Sequence, residues 1–141
     1  MKPLVRFLVV STLLSGMISC TSSSYNNTPP PSANVTYKAT LNGSSEVPPD
    51  ASTATGAATL TFNNTTKIFS MTVTYTGVTP TAGHIHVGAI GVDGPVVFPL
   101  SNLASPISYT SVALDAKQQA DLNNNLYYVN LHSTAYPGGE I

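Results

Sequence analysis

The 141-residue chain has no tryptophan, a single cysteine and very few charges, with Asp, Glu, Lys and Arg together making up 8% of it. Each shortage excludes something. One cysteine, Cys20, cannot form an internal disulfide, so no cross-link holds the fold. Of the five basic residues, Lys2 and Arg6 lie at the extreme N-terminus, and only Lys38, Lys67 and Lys117 follow. A body without arginine or a basic face has no means of gripping phosphate, which argues against nucleic-acid binding. The acids are Glu46, Asp50, Asp93, Asp115, Asp121 and Glu140. Groups suited to acid–base chemistry are therefore sparse, and no catalytic set emerges. What the chain does have is a 42% apolar fraction, enough for a core, and the length of one domain.

Residues 1–19 read as a signal rather than as fold. Lys2 and Arg6 form a positive start, Leu8 to Leu14 a short uncharged apolar run, and Ser15, Gly16 and Ser19 lead to Cys20. The run is too short for a comfortable membrane span. Met17-Ile18-Ser19-Cys20 resembles a bacterial lipobox, although leucine is more usual at its first position. The resemblance implies cleavage before Cys20 and lipidation of that residue. More than one acyl chain there would anchor the protein stably, since a single chain is marginal. Thr21 and Ser22 follow in place of an acid, which by analogy with enteric lipoproteins points to the outer membrane. Residues 20–33 carry the lipidated cysteine and a Ser/Asn/Pro-rich tether in which Pro29, Pro30 and Pro31 favour an extended chain.

From residue 34 to 141 the dominant period is two. Val35, Tyr37, Ala39 and Leu41 alternate with polar residues; so do Ala58, Leu60 and Phe62, and then Phe69, Met71, Val73 and Tyr75. Such alternation predicts strands with one buried and one wet face. Asn63 to Thr66 predicts a hairpin turn. Further strands are expected at Ala82–Val87, Pro95–Leu100, Ile107–Val112 and Leu126–His132, with a glycine-containing loop at Gly88–Gly94. Asp115 with Gln118 three residues on predicts a capped short helix reaching Leu122. The expected fold is all-β: one antiparallel immunoglobulin-like or Greek-key sandwich or barrel of about seven strands with one short helix.

Four fragments carry a resemblance: Leu41-Asn42-Gly43-Ser44-Ser45-Glu46-Val47-Pro48-Pro49; Ala82-Gly83-His84-Ile85-His86; Gly94-Pro95-Val96-Val97; and Leu126 to His132 together with Pro137-Gly138-Gly139-Glu140-Ile141. In this order and spacing the stretch from about residue 35 to 141 resembles the CHRD domain. That domain is repeated in the developmental protein chordin and found singly in exported microbial proteins. The resemblance implies a β-sandwich or barrel and no established enzyme activity. It also implies a tail beyond Ile141, which leaves the last strand clipped and its pairing open. Glu46, Pro48, Pro49, Gly138 and Gly139 are expected to be structural, with Glu46 satisfying backbone donors at a proline-fixed bend.

All three histidines, His84, His86 and His132, fall inside these fragments. His84 and His86 share one strand face and Ile85 takes the other. His132 belongs with Tyr128 and Asn130, opposite the apolar set Tyr127, Val129 and Leu131. By parity the three imidazoles avoid the core and converge if their strands are neighbours. Three histidines with an open position suit copper or zinc, and Glu140 is a weaker candidate for a fourth ligand. The bland alternative is cross-strand hydrogen bonding that holds the loop at Gly88–Gly94. The H-x-H pair is similar to one in copper–zinc superoxide dismutases, but a dinuclear site needs more histidines than this chain owns. Asp93 offers one carboxylate, too few for calcium. Tyr127, Tyr128 and Tyr136 are expected in core and rim packing before ligand contact.

Two functional expectations follow. The first is a membrane-anchored, exported binding or scaffold protein that engages protein or glycan partners without catalysis. The second is a copper- or zinc-binding protein built on the three histidines.

Overall fold

A computed structural model describes residues 33–141. The signal, Cys20 and tether expectations fall outside them. The described chain forms β1 (Asn34–Asn42), a 3₁₀ turn at Gly43–Ser45, β2 (Thr55–Asn63), β3 (Phe69–Thr76), β4 (Ala82–Val87), β5 (Val96–Pro99), β6 (Ile107–Thr110), α1 (Ala116–Asn123) and β7 (Tyr127–His132). All strand pairs are antiparallel. They make two sheets, β1-β2-β3-β6 and β5-β4-β7, so the fold is a sandwich and not a closed barrel.

The period-two pattern places the core. Leu41, Ala58, Leu60, Phe62, Met71 and Val73 turn inward from the first sheet to meet Ile85, Phe98 and Leu131 from the second. Phe69 is fully buried and packs edge-on to Phe98, with ring centres 5.6 Å apart. Strand β1 departs from expectation. Its parity is right, but only Leu41 is buried, while Val35 and Ala39 are exposed. β1 is the edge strand of the larger sheet and has a neighbour on one side only.

Local chemistry explains the connections. Asn63 Oδ1 accepts from the backbone of Thr65 and Thr66 at 2.8 and 2.9 Å, closing the β2–β3 turn. Asp115 caps α1 in a full capping box with Gln118, as expected. The C-terminal residues do pair: the amide of Leu131 donates to Ile141 O at 2.8 Å, and the amide of Glu140 to Leu131 O at 2.8 Å. Ile141 is thereby buried in the core.

Candidate metal centre

Strands β4 and β7 lie side by side, with Ala82 opposite His132, His84 opposite Asn130 and His86 opposite Tyr128. Ile85 and Leu131 fill the core, so the alternate residues share the outer face. That face is not open, as a free sheet surface would be. The loop at Gly88–Gly94, the segment after Gly43 and the C-terminal residues fold over it, and His86 and Asn130 are left only 7% and 5% exposed.

The three imidazoles meet. One ring nitrogen from each of His84, His86 and His132 lies within 4.8 Å of the others. A common centre therefore lies within about 2.8 Å of every ligand atom, against metal–nitrogen bonds of about 2.0–2.1 Å.

Backbone carbonyls set the tautomers. His86 Nδ1 faces Gly94 O at 2.8 Å, and His132 Nδ1 faces Pro137 O at 3.1 Å. A carbonyl oxygen only accepts, so both Nδ1 atoms carry their protons and both Nε2 atoms carry lone pairs. His86 Nε2 is buried with no partner. His132 Nε2 has His84 Nδ1 at 3.0 Å, and between two neutral rings His84 must donate. To hold a metal ion through Nδ1, His84 would take the other tautomer, with its proton on Nε2. Carbonyls that fix the far nitrogens of His86 and His132 are the usual outer support of metal-bound histidine.

Burial, followed by the neighbouring His132 and His86, holds the His84 pKa below its ordinary 6.5. The ring is therefore neutral near pH 7 and available as a ligand. A histidine depressed in the folded state binds its proton better once unfolded. The metal-free domain therefore loses stability as pH falls through 6.5.

Residues not singled out as partners complete the site. Tyr128 stacks on His86 with centroids 5.0 Å apart and planes 15° from parallel. Its hydroxyl accepts from the Gly94 amide at 2.9 Å. Gly94 thus holds the His86 ring through its carbonyl and the stacked tyrosine through its amide. A side chain at Gly94 would overlap the Val87 carbonyl. Gly94→Ala is expected to weaken metal binding about 10–100-fold, as loss of outer-shell support does, and calorimetry on the variant checks it. The strand parity of Tyr128 with His132 was visible in the sequence; the stacking was not.

Other expected site residues lie elsewhere. The Glu140 carboxylate accepts from Ser52 Oγ at 2.7 Å and is not in the histidine group. Glu46, expected to satisfy backbone donors, accepts instead from Asn130 Nδ2 at 3.1 Å. Desolvation first, then Asp50, raises its pKa. The Val47–Pro48 bond is cis, and Pro48 and Pro49 carry the chain round the bend after Glu46. Gly139 has φ +142° and lies so close over Asn130 and Glu46 that a side chain there would overlap both, whereas Gly138 faces open space. Tyr127 packs its ring against Phe98, as expected of a core aromatic.

Residues 37–141 match the family model of the CHRD domain. No curated protein and no solved structure matches the chain.

Proposed function

The chain belongs to the CHRD domain family, a non-enzymatic family, and from that premise we propose that it is an exported, lipid-anchored binding module whose chemistry is a three-histidine transition-metal centre. One observation carries the reading. Two carbonyls, Gly94 O and Pro137 O, occupy the Nδ1 atoms of His86 and His132 and leave their Nε2 atoms for a ligand, in a group whose ring nitrogens lie within 4.8 Å of one another. A purely structural histidine cluster has no reason to leave a buried ring nitrogen unpartnered, since that costs on the order of 1–3 kcal/mol. Three imidazoles without thiolate or carboxylate suit copper(II) above zinc by the usual order of divalent affinities. Three protein ligands would leave a metal ion there a further position for solvent or a partner's ligand.

The test is calorimetric titration of metal-free protein with copper(II) and zinc(II). One ion per chain is expected, copper the tighter, with affinity falling in acid as protons compete for the imidazoles. Absence of stoichiometric uptake of either ion would dispose of the metal centre. The anchor is tested separately: Cys20→Ser is expected to move the protein from the membrane fraction to the soluble one.

A further inference from the structure

Next to the histidines, and not lined by any of them, runs a cleft of about 450 Å³. Its floor is β7 from Tyr127 to Asn130. One wall is the end of β1 with Glu46 and Val47; the other is the loop carrying Ile90, Val92 and Asp93. The volume lies in the range of small-ligand sites.

The charge of the cleft is of one sign, set among neutral hydroxyl and amide side chains that include Ser45, Asn125 and Tyr128. Glu46 and Asp93 bring carboxylates, and no Lys, Arg or His lines it. Among the described residues the one ion pair is Lys117–Asp121 on α1, so neither acid has a cationic partner. Asn130 is 95% removed from solvent, taken from its 5% exposure, and its amide nitrogen is spent on Glu46. Its Oδ1 is buried without a hydrogen bond. A buried acceptor left unmade is costly, so an occupant that donates to it is favoured. Desolvation, Asp50 and Asp93 raise the Glu46 pKa, and a nearby positive charge would relieve all three. Beside these acceptors stand exposed aliphatic groups: Val47 at 46%, Val92 at 53% and Ile90 fully exposed.

We infer that this cleft binds a protonated primary amine on a short aliphatic chain, with the ammonium between Glu46, Asp93 and the Asn130 carbonyl and the chain along Val47, Ile90 and Val92. An ammonium supplies three donors and no acceptor, which suits two carboxylates and an unpaired amide oxygen. The aliphatic walls add contact that a bare metal ion or a sugar would not use.

The test is amide NMR of the full chain in zwitterionic micelles, titrated with n-butylammonium chloride. Saturable shifts confined to Glu46, Val47, Ile90, Val92, Asp93 and Asn130 are expected. Tetramethylammonium, with the charge but no N–H, and n-butanol, with the chain but no charge, are each expected to bind at least about tenfold more weakly. Glu46→Gln keeps an acceptor for Asn130 and should retain the fold while weakening the amine about tenfold; Asp93→Asn, on an exposed loop, is the second probe. Equal responses to butylammonium and butanol, or wild-type affinity in both variants, would overturn the inference. So would loss of amine binding in a folded His132→Ala variant, because the shifts would then belong to the histidine centre. That variant is expected to keep amine binding while losing metal, so the two sites fail or succeed separately.

Discussion

Replacing His86 by alanine is expected to lower copper(II) affinity more than about a hundredfold, beyond the 10–100-fold that loss of outer-shell support costs. His86 is the buried member of the trio, and its Nε2 is the ligand atom that no protein group satisfies. His84 and His132 already hold each other at 3.0 Å and would remain a two-nitrogen site without it. Two measurements separate a ligand role from a structural one. Metal at about a hundred times the wild-type dissociation constant stabilises the folded wild type by about 2.7 kcal/mol, and the wild type should show that gain in its melting temperature while the variant, at the same metal concentration, gains about 0.4 kcal/mol or less. Without metal, the variant removes a buried, unpartnered nitrogen together with its ring, so the loss of packing is partly offset. A His86→Ala protein that takes up copper like the wild type would end the case for this centre.

Phe69→Ala is expected to cost about 3–5 kcal/mol of folding stability, the range for deleting a fully buried phenylalanine. Phe69 sits in β3 of the larger sheet at 0% exposure, with Phe98 of β5 from the other sheet 5.6 Å away and Tyr109 of β6 at 5.8 Å. It is therefore a contact between the two layers as well as within one. Its backbone amide donates to Ser111 Oγ at 3.0 Å, a bond the substitution leaves in place, so the loss is one of packing. Against a total of about 5–15 kcal/mol, thermal unfolding should shift down by more than about 10 °C. Val35→Ala, on the exposed end of β1, should change stability by less than about 0.5 kcal/mol. Similar effects at the two positions would mean that the core is not where these sheets place it.

The histidines show how far local pattern reaches. A period of two needs only adjacent residues, so the sequence told that Ile85 and Leu131 face the core and that His84, His86 and His132 face away. It also carried the capping box at Asp115 and Gln118, and the turn at Asn63, because each bonds within three residues of itself. The same parity misjudged β1, since alternation says which side a residue takes and nothing about whether another layer covers it.

What the chain order alone determined, then, was strand identity, facing and the grouping of every histidine into two segments. The tertiary structure decided that β4 and β7 are neighbours, and that the loop ending at Gly94 and the C-terminal residues close over their outer face. It also decided that Gly94 O and Pro137 O choose the tautomers, and that Glu46 and Asp93 face one cleft. These are contacts between residues distant in sequence. They are set by which surfaces fit when the two sheets pack, and no short-range rule contains that information.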